Sequence, residues 1–110
     1  MICMLNKLTV RRGERAELVD AIRPVFADVA DEPGTLAFLV FEDLSDPDVV
    51  WVQEIFADEE AKRAHAGNPH QPAVLGRVRD LLARPMETHR LSPVVAAVQA
   101  IRVSSAGGAS

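Results

Sequence analysis

The sequence predicts an α+β fold of the ferredoxin-like kind, a split β-α-β whose four-stranded antiparallel sheet carries its helices on one face. Three observations predict it. The elements follow the order β-α-β-β-α-β. The apolar period switches between 2 and 3.6 at Gly and Pro punctuation. Strands two and three are apolar on both of their faces, where a sheet with one wet face should alternate.

Residues 2 to 10 alternate, with Ile2, Met4, Leu8 and Val10 on one side and Cys3, Leu5, Lys7 and Thr9 on the other. This predicts the first strand, closed by Arg12-Gly13. From Glu14 the stripe Leu18, Val19, Ile22, Val25, Phe26 and Val29 predicts a helix. Pro24 lies inside that stripe and is expected to bend the helix without ending it. Glu32-Pro33-Gly34 then stops the helix in a turn.

Thr35 to Glu42 and Val49 to Phe56 form a predicted hairpin around the polar loop Asp43 to Asp48. Leu36, Phe38 and Val40 are expected on one face of strand two. Asp58 suits the N-cap of a short helix that Gly67 ends. Asn68-Pro69 is expected to start the next helix, whose stripe is Val74, Leu75, Val78, Leu81 and Leu82, with Pro85 as its stop. Met86 to Leu91 is the last strand. Residues 1–92 are expected to make the domain, and 93–110 a C-terminal arm that can cross to a partner subunit, with a frayed tail.

Composition narrows the function. In 110 residues, 12 Lys plus Arg stand against 16 Asp plus Glu, for a formal charge of −4. No basic run exists to neutralise phosphates, so neither nucleic acid nor an anionic membrane is an expected partner. The single cysteine, Cys3, precludes an internal disulfide framework and fits the cytoplasm. The first residues lack the basic region of a secretion signal, and no apolar run reaches the ~18 residues of a membrane span. A domain of this size buries about 65% of its unfolded surface. With strands two and three apolar on both sides, the second sheet face is expected to be covered by a second copy in a homodimer, with Trp51 in its core.

Residues 54 to 70 run Glu54-Ile-Phe56-Ala-Asp58-Glu-Glu-Ala61-Lys-Arg-Ala-His65-Ala-Gly-Asn-Pro69-His70. With the Arg12-Gly13-Glu14 turn and the Glu32-Pro33-Gly34-Thr35-Leu36 turn, this resembles the antibiotic biosynthesis monooxygenase family, quinol monooxygenase-like members included. The resemblance spans most of residues 2 to 92. It implies a dimeric α/β-barrel with a pocket between sheet and helices. It also implies oxygenation of a small phenolic, quinol or polyketide-like aromatic by dioxygen without flavin, haem or metal. Such chemistry needs an electron-rich anion, an apolar cavity, a proton acceptor and donors for the oxyanion.

Two candidate catalytic residues emerge. Asn6 is the one polar member of the strand-one stripe and must be bonded either within the protein or to a ligand. The resemblance favours a substrate-orienting role for it. His65 matches the family histidine, and an imidazole suits a general base, although a histidine in a last helical turn also complements the helix dipole. The candidate substrate contacts are Glu54, Phe56, Phe38 and His70. Glu54 shares its strand face with apolar residues, so it is either paired, with Arg77 or Arg79, or has a raised pKa. Phe38 and Phe56 are otherwise core, and His70 otherwise serves the helix junction.

His65, His70 and His89 do not have metal-ligand spacing, and no metal or other cofactor is expected. Two features depart from the family pattern: the chain has no tyrosine, and Phe56 stands where relatives often carry tryptophan. Leu75 falls where a haem-ligating histidine would be needed. A non-catalytic aromatic-binding dimer and an isomerase or lyase are the alternative functions.

Overall fold

The computed structural model describes residues 1–99. The elements are β1 (Ile2–Thr9), α1 (Arg15–Ile22), α2 (Pro24–Val29), β2 (Thr35–Glu42), β3 (Val49–Phe56), α3 (Glu59–Ala66), α4 (Gln71–Leu81) and β4 (Glu87–Leu91). The strands form one antiparallel sheet in the order β2-β3-β1-β4. This is the split β-α-β arrangement.

Alternation places Met4, Asn6 and Leu8 of β1 opposite Glu54, Val52 and Val50 of β3 on the helix-bearing face. Their cluster is completed by Leu18, Ala21 and Ile22 of α1 and Val78 of α4, all buried. The outer face carries Leu5, Leu39, Phe41, Trp51 and Ile55. Phe41 stays exposed there, and the others are half-buried.

Three local expectations are corrected. Pro24 does more than bend the first helix: the helical run divides at Arg23, whose backbone remains in the right-handed helical region. Proline has no N–H to return to residue 20, so Pro24 instead opens α2, where that donor is dispensable. The last helix begins at Gln71, not at Asn68-Pro69. Asn68 spends its side chain on a tight turn, accepting from the His70 N–H at 2.9 Å.

The third correction concerns β2. Its register against β3 shifts between Thr35 and Ala37, so Leu36 is the extra residue of a bulge and is exposed. Thr35, opposite Phe56, takes the inward place instead. The bulge therefore aims a hydroxyl toward the helices.

Close approach explains one glycine. A Cβ on Gly34 would lie 2.4 Å from the Cβ of Ala61, so the turn before β2 seats against α3 only because residue 34 has no side chain. Asp58 caps α3 by accepting the Ala61 N–H at 2.8 Å, and Gly67 is its C-cap. Residues 92–99 have no regular structure, and Val94, Val95 and Val98 are exposed. The remainder of the expected arm lies outside the described residues. Among the described residues no helix is long and apolar enough to cross a membrane.

Candidate functional site

A cavity of about 250 Å³ lies between the sheet and the helices. Its walls are mostly apolar, formed by Met4, Leu8, Val25, Phe38, Val74 and Val78 among others. Asn6, Glu54, His65 and Gln71 supply its polar lining. Among the described residues no lysine or arginine lines it.

His65 is set by α3. Its imidazole is buried, tilted against Phe56 with ring centroids 5.3 Å apart and against Phe38 at 6.1 Å. Nδ1 lies 2.6 Å from Glu32 Oε1. On the other edge, Nε2 lies 3.0 Å from Gln71 Nε2 and 3.8 Å from Glu54 Oε1. Because Gln71 and Glu54 both line the cavity and Glu32 does not, the Nε2 edge is the one presented to it.

Glu32 is held in turn. The Thr35 hydroxyl donates to its Oε1 at 2.8 Å, and Asn68 Nδ2 donates to Oε2 at 3.4 Å. Glu54 projects from β3 between Met4 and Phe38 of the neighbouring strands. Burial raises its carboxyl above the ordinary value, and the positive charges of His65 and Lys62 offset part of that rise.

Asn6 stands on β1, buried. Its Nδ2 donates to the Val52 carbonyl at 3.4 Å, and its Oδ1 accepts from the Thr88 hydroxyl at 2.9 Å. One amide hydrogen is left for the cavity that Asn6 lines.

Of the residues singled out from the sequence, Asn6, His65, Glu54 and Phe38 come together around the cavity. Phe56 lies behind the imidazole, buried, and is not part of the lining. His70 points outward and pairs with Asp28 at 2.9 Å, its side chain 70% exposed. Glu54 faces His65, where the sequence suggested Arg77 or Arg79; Arg77 pairs with Glu17 on the outside.

Two participants were missed, Glu32 and Gln71. Glu32 looked like a turn residue, and only the fold brings it to His65. Gln71 offered the polar start of a helix and nothing more specific.

Among the described residues no set of three His, Cys, Asp or Glu side chains is arranged to hold a metal ion. Glu32 and Glu54 flank opposite edges of the imidazole and do not converge on one point.

Residues 1–76 match the sequence profile of the antibiotic biosynthesis monooxygenase family. The chain belongs to that family. Its fold is similar to that of a protein from Nitrosomonas europaea provisionally titled an antibiotic biosynthesis monooxygenase. That pair has a TM-score of 0.80 and 19% identity, covering 86% of this chain and 100% of the other. Rv0793 from Mycobacterium tuberculosis gives a TM-score of 0.80 at 21% identity, over 88% and 98% of the two chains. A protein from Caulobacter crescentus, provisionally titled likewise, gives 0.79 at 24% identity, over 86% and 90%. At these identities the likeness is one of fold. No curated protein sequence matches the chain. Membership of the antibiotic biosynthesis monooxygenase family points to monooxygenase-like chemistry.

Proposed function

We propose that the protein is a monooxygenase that oxidises a small phenolic, quinol or polyketide-like aromatic with dioxygen, without flavin, haem or metal, and that His65 and Asn6 carry the reaction. The observation that carries this reading is a buried imidazole whose Nε2 edge faces an apolar cavity of about 250 Å³. Dioxygen is a triplet and reacts with a closed-shell molecule only when that molecule gives up one electron readily. A phenolate does so far better than a phenol. His65 takes the phenolic proton, and Asn6 donates its remaining amide hydrogen to the substrate oxygen. One oxygen atom enters the ring system, and the other leaves as water with two hydrogens of the substrate.

The lining supports an uncharged aromatic guest. Among the described residues it has no lysine or arginine to meet a carboxylate or phosphate, and an ionised Glu54 repels either. Apolar walls match the faces of a planar ring. The test is oxygen uptake with a panel of hydroquinones and anthrones in metal-free buffer. Turnover no faster than buffer, or equal turnover by Asn6→Ala and His65→Ala protein, refutes the reading.

The pairing of His65 with a carboxyl of raised pKa, Glu54, also suits proton transfer alone, as in an isomerase. Deuterium incorporation from solvent under anaerobic conditions separates that reaction from oxygenation. We propose further that the outer face, with Leu5, Leu39, Phe41 and Trp51, pairs with the same face of a second copy.

A further inference from the structure

We infer that Glu32, outside the cavity lining, is a positioning residue: it fixes His65 in the tautomer whose unprotonated Nε2 faces the cavity. The inference rests on the reading of His65 as proton acceptor. A carboxylate has no hydrogen to give, so its 2.6 Å contact with Nδ1 requires the imidazole proton to sit on Nδ1. In a neutral ring the other nitrogen then carries a lone pair.

The opposite edge of the ring fits the same tautomer. Gln71 brings its side-chain amide to 3.0 Å from Nε2, where its N–H can donate to an unprotonated nitrogen. The carboxylate at Nδ1 selects the tautomer, and Gln71 complements it. Without a fixed acceptor on Nδ1, the ring's proton could sit on Nε2, and the cavity would face an N–H that takes no proton.

Glu32 is built into the fold for this position. The bulge in β2 turns Thr35 inward so that its hydroxyl holds Oε1 at 2.8 Å. Asn68 reaches Oε2 from the turn before α4. The missing side chain of Gly34 lets the turn before β2, which carries Glu32, seat against α3, which carries His65.

The step is a proton transfer. The substrate hydroxyl takes the place of the Gln71 N–H at Nε2; its O–H bond breaks, its electron pair stays on oxygen, and an N–H bond forms at Nε2. The positive charge so created lies beside Glu32, already in place, in a site largely closed to water. The other charged groups facing the ring are Glu54 from β3 and, through Glu54, Lys62 of α3. Gln71 from α4, Phe38 and Thr35 from β2, Phe56 from β3 and Asn6 from β1 are uncharged.

Nitrogen-15 NMR of the full chain with labelled histidine tests this, the three histidines being assigned with His70→Gln and His89→Gln variants. In the wild type, His65 should show a protonated Nδ1 and a bare Nε2 at high pH. Glu32→Gln can donate its amide to Nδ1 and should invert the pattern, while kcat with an accepted phenol falls about 100-fold or more and KM changes little. Glu32→Asp should restore the wild-type tautomer and part of the rate. Thr35→Val, which removes one hydrogen bond from Glu32 Oε1 and leaves both Glu32 and His65 unchanged, should shift both readouts partway.

A wild-type His65 protonated on Nε2 overturns the inference, as does a tautomer that ignores Glu32→Gln. An inverted tautomer with undiminished turnover overturns the positioning role. If no phenol is oxidised by the wild type and the tautomer still inverts with Glu32→Gln, the oxygenase reading fails and the assignment of Glu32 to His65 is upheld.

Discussion

Glu54 and His65 face each other across 3.8 Å at the edge of the cavity, too far for a hydrogen bond and near enough for each to feel the other's charge. Burial keeps the Glu54 carboxyl above its ordinary 4.5, despite the attraction of His65 and Lys62. Between 4.5 and that raised value the folded chain holds a proton that the unfolded chain has released. The contribution of Glu54 to stability is therefore fully present below its unfolded pKa and is lost as pH rises through its folded pKa. Glu54→Gln has no proton to lose, so its stability relative to wild type should increase from about pH 4 towards neutrality. Urea midpoints of both proteins across that range check this, and a difference that stays constant or shrinks with pH contradicts it.

Gly34→Ala should destabilise the protein by about 1–3 kcal/mol, the usual cost of forcing extra carbon into a packed contact. The new methyl would meet Ala61 and push α3 away from the turn that holds Glu32. Chemical denaturation measures the loss. Ala61→Gly in the same chain should recover part of it, and a double variant no more stable than Gly34→Ala would show that the contact is not the cause.

Asn6→Ala should separate binding from folding. The Thr88 hydroxyl that Asn6 accepts belongs to an exposed residue of β4, so water replaces the lost partner and stability should change by only about 1 kcal/mol. Loss of one hydrogen bond to the phenolate oxygen, about 1.5–3 kcal/mol, lowers kcat/KM by roughly 10- to 160-fold. Steady-state oxygen uptake and thermal melting on the same preparation give both numbers. A large loss of stability with unaltered kinetics would make Asn6 a structural amide.

Leu5→Lys places a charge in the middle of the outer sheet face, where Leu5 lies between Gln53 and His89. Sedimentation at low micromolar concentration should show a wild-type dimer and a variant monomer. A monomeric wild type ends the proposal for that face.

The strands and helices were legible because their periods are strong. Val50, Val52, Glu54 and Phe56 alternate through β3, and Leu18, Ala21 and Ile22 mark the buried side of α1. What escaped was local or distant. The division at Arg23 and the late start of α4 are settled by single hydrogen bonds around Pro24 and Asn68, which no period reports. The bulge at Leu36 reversed one side chain in an otherwise regular run.

His65, Asn6 and Glu54 stood out as polar residues in apolar company. Glu32 sits in a turn among Asp31, Pro33 and Gly34, where a charged residue is unremarked, and its partner lies in α3, far along the chain. Phe56 and His70 carried the right chemistry, but Phe56 on β3 lies behind the imidazole, and the turn before α4 sends His70 toward Asp28.

Trp51 is the only tryptophan in a chain without tyrosine. Its indole N–H donates to Asp43 Oδ2 at 2.8 Å, and the Lys7 ammonium lies 5.6 Å from its ring. Emission excited to the red of phenylalanine absorption therefore originates at one fluorophore, Trp51, on the opposite side of the sheet from the cavity. A titration that follows this emission reports on events at the outer face and on unfolding. Cavity occupancy is better followed through the optical properties of the guest itself.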